Sequence, residues 1–374
     1  MFNRLLLYIY VVYLNIINLS LFIDCLGHID MKTTVDNEYF LIQQQSLLKH
    51  SKFKLYTSQS LYGMFAIFLK NKIKFFNINT LKYYYINDIL LLNKIYDKID
   101  ISSSHNFALF LNNNDNKKLC GIPIIKERYH FTIDNNICFG FENSKTFGID
   151  WIDENIYIVN LNNTRKEILM YSLENVNIFH KIKTFSYNIN DIQVDTTNHM
   201  ILWLEDNSRI VASMKDGINT RIILESNNII SFNIDTKFCK VFIHVVVNHE
   251  LIIHSQSYLR IGSLEQVKKI KIYNNQIILK SSFYQIDNIK VFMMLYKNDI
   301  EDINNKIRYE IVDNYRYHNK VLHNVQAFSS VWNKNIDKYC KTEQCDAISY
   351  RISSNECSCL CSKNQSVCDS VSIL

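Results

Sequence analysis

Glycine and proline are scarce in this chain, with 7 and 1 in 374 residues. Motifs that depend on them have little material to form. The sequence contains no G-x-x-x-x-G-K-[ST] loop, no G-x-G-x-x-G fingerprint and no G-x-S-x-G elbow, and H-E-x-x-H is missing as well. Nucleotide-cradling loops and the common hydrolase signatures are thereby set aside, and neither a cofactor nor a bound metal nor enzymatic activity is expected. Charge of one sign is also lacking. The 41 Lys and Arg nearly balance 36 Asp and Glu, and their mixing leaves no clustered basic face for nucleic acid. Beyond the N-terminal segment there is no apolar run of spanning length, so the mature chain is expected to carry no membrane span.

Hydrophobic residues are plentiful at 48%, against 21% charged, which suits a chain with a substantial core rather than global disorder. The N-terminus, "MFNRLLLYIYVVYLNIINLSLFIDCLGHID", has a basic Arg4 followed by an apolar run from Leu5 to Ile23. Small residues at Cys25 and Gly27 then provide a cleavage site before His28. This reads as a secretory signal peptide over residues 1–27, with an uncleaved signal anchor as the competing reading. Either delivers the rest of the chain outside the cytosol. Of ten cysteines, Cys340, Cys345, Cys357, Cys359, Cys361 and Cys368 crowd the end of the chain. In an exported protein that density predicts a small module held by disulfides; a zinc site is the competing reading, but paired C-x2-C spacing is missing.

The middle of the chain repeats. In "DIQVDTTNHMILWLEDNSRIVASMKDGINTRIIL" a short run ends at Asp195, and three β-like runs follow, the last two divided by Asp216-Gly217. Asp195 stands seven residues before Leu202, as Asp150 does before Tyr157 and Asp235 before Phe242. Looser copies centre on Phe75, Leu109 and Phe292, and the six anchors are spaced 34, 48, 45, 40 and 50 residues apart. Several short strands per unit at such a period predict an all-β, six-bladed β-propeller over residues 36–335. Ring closure is expected from pairing the early segment "EYFLIQQQSLLKHSKF" with the late "VLHNVQAFSSVW", which removes two exposed sheet edges.

The stretch from Asp195 to Leu224 resembles the YWTD (class B) repeats of the low-density lipoprotein receptor-related family. Val194-Asp195, Leu202 to Glu205, Arg209-Ile210, Ala212, Asp216-Gly217, Arg221 and Leu224 fall in order on the family's pattern, and Tyr157 to Asn160 match more loosely. The resemblance implies a six-bladed propeller followed by a small, disulfide-rich EGF-like module, here over residues 338–370. It also implies a non-enzymatic extracellular protein-binding role like that of the propeller–EGF part of an endocytic receptor. A secreted matrix or adhesion protein of nidogen-like type is the alternative. The tail is degenerate: the family's third cysteine should fall near Ser349, Cys361 is extra, and no repeat keeps a full Y-W-T-D. The loss of its terminal Asp bears on the polar links between blades.

Other candidates carry two readings each. In "HVVVNHELIIH", His244 and His254 are pH-switch candidates, but a five-residue spacing on either side of a turn at His249 need not place them on one face. Trp151 and Trp203 are candidates for ligand contact or for packing, with Trp203 inside an apolar run. Asn162 and Asn364 head glycosylation sequons. Cys120, Cys138 and Cys239 allow one disulfide at most, leaving at least one thiol. Asp150, Asp195 and Asp235, at equivalent places in successive repeats, are a possible carboxylate ring for a secreted metal-dependent propeller hydrolase, or turn-forming residues. The expected partner is an extracellular protein, and the expected location is the secretory pathway or beyond.

Overall fold

The computed structural model describes residues 64–351 and 357–360, apart from segments 88–95, 103–106, 113–117, 127–130, 134–136, 139–143, 174–178 and 333–347 and scattered single or paired loop positions. Among them every regular element is a β-strand. The strands group into six blades, each an antiparallel meander whose first strand lies nearest the ring axis.

Blade 4 is the stretch that reads most clearly in the sequence. Ile189–Asp195, Met200–Glu205, Arg209–Met214 and Arg221–Glu225 pair in that order, and the Asp216-Gly217 turn joins the outer two. Its second strand is buried on both faces, because blades pack on both sides of it. Its fourth strand is the most exposed, at the rim. Gly217 sits at φ +87°, where a Cβ would meet Ile182 Cγ2 at 2.8 Å, so both conformation and space call for glycine.

Blade 3 comprises Ser144–Asp150, Asn155–Asn162, Arg165–Ser172 and Phe179–Phe185. Blade 5 comprises Ile229–Asp235, Lys240–Val247, Glu250–Ser257 and Glu265–Lys271. Blade 6 comprises Ile277–Ile286, Ile289–Lys297, Lys306–Val312 and Tyr317–His323. In blade 2 the first three strands are Tyr96–Ser102, Phe107–Asn112 and Lys118–Lys126. Its fourth place is shared by two short strands, Phe131–Ile133 and Ile137–Cys138. Cys120 is disulfide-bonded, and the register sets Cys138 opposite it, while Cys239 is a free thiol.

The ring closes through blade 1, whose first strand is the late Val325–Trp332 and whose others are Met64–Leu69, Lys72–Asn77 and Lys82–Asn87. The late strand is the one expected. Its partner is Met64–Leu69, and the early segment proposed for that role lies outside the described residues. Phe75 therefore falls on the third strand of its blade, whereas the other anchors fall on the second. The equivalent position lies one strand earlier, beside Ala66, with which Phe75 pairs. This displacement accounts for the short first interval in the repeat series.

The core is divided among the blade boundaries. Separate apolar clusters fill the spaces between blades 2 and 3, 3 and 4, 4 and 5, 5 and 6, and 6 and 1. The cluster between blades 3 and 4 also takes in Ile348 and Tyr350, from a hairpin of Ile348–Arg351 with Cys357–Leu360. The tail hairpin thus docks on the propeller, and Tyr350 Oη donates to Asp216 Oδ2 at 3.2 Å. Ser349, where a third EGF cysteine was missed, lies directly opposite Cys359. Cys340, Cys345, Cys361, Cys368 and Asn364 lie outside the described residues, and the N-terminal signal segment does too.

Candidate functional site

Two polar constellations stand out: the links between blade turns, and a charged cluster on the axis. The turns come first, because the repeated aspartates form them. Asp150 Oδ1 accepts from the amides of Ile152 and Asp153 at 3.0 and 3.1 Å. Asp195 Oδ1 accepts from Thr197 and Asn198 at 2.9 and 3.0 Å, and Asp235 Oδ1 from Phe238 at 3.2 Å. Each carboxylate folds back on the turn that follows its strand, the usual use of Asp there.

In Asp150 and Asp195 the second oxygen reaches the neighbouring blade. Asp150 Oδ2 is bonded by Lys215, just past the third strand of blade 4, and Lys215 Nζ also meets Asp153 Oδ2 at 2.8 Å. One blade further round, Asp195 Oδ2 accepts from Tyr258 Oη, just past the third strand of blade 5, and from Asn198 Nδ2 at 2.6 Å. Lys215 and Tyr258 occupy equivalent places, so one inter-blade link is made by an ammonium and the next by a phenol. Burial alone would lower Lys215, but Asp150 and Asp153 outweigh it and raise its pKa. Burial pushes the Asp150 carboxyl up, with Lys215 only partly opposing this. Two acids facing one base let Lys215 hold its proton, while burial, with the Asp153 charge adding to it, makes Asp150 the reluctant acid.

The remaining repeat residues serve packing and turns. Tyr157 is buried between blades 3 and 4. Trp203 is buried, edge-on to Phe185 at 5.6 Å, and its Nε1 donates to Glu205 Oε1 at 2.8 Å. Arg209 Nη2 meets the other Glu205 oxygen at 2.7 Å, with its guanidinium 4.1 Å from the Tyr187 ring. Glu205, which replaces the family's terminal Asp, thus ties its own blade rather than its neighbour. Trp151, also buried, donates to Asp100 Oδ1 at 3.0 Å. Asn162 is the last residue of the second strand of blade 3.

The histidines separate. His244 pairs with Ile253, and His254 with Ile243, so on alternating strands the two imidazoles face opposite sides. His244 is sealed between blades 5 and 6. Asn233 Nδ2 donates to Phe283 O at 2.5 Å, which leaves Asn233 Oδ1 as an acceptor. His244 Nε2 must then donate to it at 3.0 Å, and Ser281 Oγ donates to Nδ1 at 2.9 Å. This is a neutral tautomer with both nitrogens used. Burial holds its pKa down at about 3, and burial also lowers His254.

The axial cluster was not picked out from the sequence. Lys98 of blade 2 reaches past blade 3 to Asp191 Oδ1 of blade 4 at 2.5 Å, and to Ile192 O at 2.6 Å. Only the axis brings such non-adjacent blades together. Thr146 of blade 3 lies between, 3.3 Å from both Lys98 Nζ and Asp191 Oδ1. The approach is tight at Gly148, where a Cβ would sit 3.1 Å from Val194 Cγ2 and 3.2 Å from Ile192 O. Asp100 and Lys280, from blades 2 and 6, complete the cluster, and each of the four charges affects the proton affinity of at least one other. Burial alone would raise Asp191, but Lys98 and Lys280 bring it below the usual carboxylate range. Burial pushes Asp100 up to about 6, and burial lowers Lys280. The signal in the sequence was the charged residue within an apolar strand, as in "YDKID", "NDIQVD" and "ILKSSF".

No protein-family model matches the chain, and no curated protein matches it significantly. Solved structures do match in fold. TolB from Acinetobacter baumannii aligns with a TM-score of 0.51 at 9% identity, over 73% of this chain and 68% of that one. A putative 6-phosphogluconolactonase from Bacteroides uniformis aligns at 0.48 and 9%, over 71% and 99%. The nidogen/laminin complex structure aligns at 0.40 and 12%, over 59% and 96%. At such identities the TolB likeness shows the propeller fold alone. The chain is an all-β, six-bladed β-propeller.

Proposed function

We propose that this chain is a non-enzymatic extracellular protein-binding module, a YWTD-type propeller with an EGF-like cap, comparable in role to the propeller–EGF part of an endocytic receptor. The observation that carries this reading is that more of the large exposed apolar side chains stand at one end of blades 4 to 6 than at the other, which carries Tyr187, Val247 and Tyr273. Ile218, Phe238, Leu264, Tyr315 and Tyr317 are exposed by 61, 48, 45, 94 and 63%. All stand at the first-to-second or third-to-fourth turns of blades 4, 5 and 6, which in a meander share one end of the blade. Large exposed apolar groups on turns held by a rigid scaffold are typical of protein contact surfaces. The same end carries the Asp-centred turns and inter-blade links, so its loops are braced. Asp150 and Asp195 are spent on those bonds, which supports binding over metal-dependent hydrolysis.

The test is capture of extracellular partners by the secreted full chain at neutral and acidic pH, beside Phe238→Ser and Tyr315→Ser. The reading expects the variants to lose the captured partner while keeping the wild-type melting temperature. Equal capture by the variants, or loss only on changing Tyr187 and Tyr273 at the other end, would reject this face.

A further inference from the structure

Lys280 differs from the other two lysines enclosed between the blades, Lys98 and Lys215. Lys98 is held by Asp191, Ile192 O and Thr146, and Lys215 by two carboxylates. Lys280 Nζ has no hydrogen-bond acceptor or carboxylate within bonding reach among the described residues; its one close contact is the Phe328 ring, 5.2 Å away. It stands on the first strand of blade 6, enclosed by protein yet still partly reached by solvent. An ammonium has three donors, and among the described residues no acceptor meets them, so they are left to solvent or to a bound anion. The charges that act on it, Asp191, Lys98 and Asp100, come from blades 4 and 2.

We propose that the axial space beside Lys280 binds a small organic monoanion, its carboxylate accepting from the ammonium and its apolar part lying toward Phe328. A monoanion is specified by the charge count. Two lysines and two aspartates balance on the axis, so a dianion would face two fixed carboxylates at short range. The ring of Phe328 favours an organic anion over a halide. Asp100 makes the site sensitive to acid. Its carboxyl is enclosed and accepts from Trp151, and the groups that act on it are Lys98, Lys280, the Ile101 amide and Trp151. Tyr284, on the same strand as Lys280, is un-ionised: burial raises its hydroxyl. Thr146, from blade 3, carries no charge. Protonating Asp100 leaves two lysines facing Asp191 alone, which frees one positive charge for the bound anion. Binding therefore tightens as the pH falls through about 6 and levels off below it.

The site is independent of the protein-binding face, so failure of one does not touch the other. Acetate and benzoate are the probes, titrated calorimetrically into the full chain, with sulfate as the dianion control. Saturable benzoate binding about tenfold tighter at pH 5.5 than at pH 7 is expected from uptake of one proton. Asp100→Asn keeps the acceptor for Trp151, and should bind benzoate at pH 7 as tightly as the wild type does in acid, with no further pH dependence. Lys280→Met should abolish binding. On the unaltered chain, mass spectrometry after brief acetic anhydride treatment should show Lys280 acylation slowed by benzoate and not by sulfate. Absence of saturable binding to both wild type and Asp100→Asn at pH 5.5, or Lys280 acylation that benzoate does not slow, overturns the proposal. The acylation readout decides even if Lys280→Met fails to fold.

Discussion

The boundary between blades 3 and 4 and that between blades 5 and 6 solve one problem in opposite ways. Both enclose polar groups that water cannot reach. At the first, Lys215 meets Asp150 and Asp153, all nearly inaccessible to solvent. At the second, His244, Asn233, Ser231 and Ser281 form a neutral network in which every assigned donor finds an acceptor. A buried ion pair adds little net stability, because desolvation offsets attraction, but removing one partner strands a charge. A neutral network carries no such penalty, yet it refuses protons, so its weakness shows only in acid. The repeat geometry accommodates either chemistry.

Four measurements would break or sharpen that contrast. Lys215→Met should have the largest effect, about 3–5 kcal/mol of lost stability in denaturant unfolding, because two buried carboxylates lose their cation. Adding Asp150→Asn and Asp153→Asn should restore most of it; no recovery would mean that shape, not charge, seals this boundary. Next comes acid. The folded pKa of His244, about 3, lies below the unfolded value of 6.5. Above pH 6.5 both states are neutral; below it the unfolded chain takes a proton that the folded one refuses. Stability should therefore fall by about 1.4 kcal/mol per pH unit between 6.5 and 3 from this group. His244→Gln should flatten that component while lowering stability at pH 7, and an unchanged slope would remove His244 as its source. Tyr258→Phe takes one neutral donor from Asp195, which keeps Thr197 and Asn198, and should cost about 1 kcal/mol. Arg209→Ala should cost less, under about 1 kcal/mol, since its pair with Glu205 is partly solvated.

Blade 4 and blade 1 show what was legible. In blade 4 the run ending at Asp195, the three runs after it and the Asp216-Gly217 division between the last two, all seen in the sequence, stand as its four strands and outer turn. In blade 1, Met64–Leu69 and Lys72–Asn77 are both short strands rich in apolar residues, and nothing local tells the second strand of a blade from the third. The anchor slipped by one strand for that reason: a meander repeats the same local pattern across the blade, and its place in the ring is set by the partner strand Val325–Trp332, far away in sequence. The turn role of Asp150, Asp195 and Asp235 was visible as one of two readings, because Asp favours turns locally. Their cross-blade partners were not, since Lys215 and Tyr258 lie about sixty residues away and differ in chemistry.

By itself the sequence determined the strand-forming segments, the period of the repeat, and the glycine at position 217, since these rest on alternation and backbone sterics within a few residues. Tertiary structure alone decided which strand closes the ring, that His244 and His254 face apart, and that Lys98, Asp100, Asp191 and Lys280 meet on the axis. Those outcomes depend on closure of the ring, which carries the first strands of separate blades to a common line and takes their charged side chains partly or wholly out of water. Burial and the neighbours found there, rather than residue type, then set how each group holds its proton.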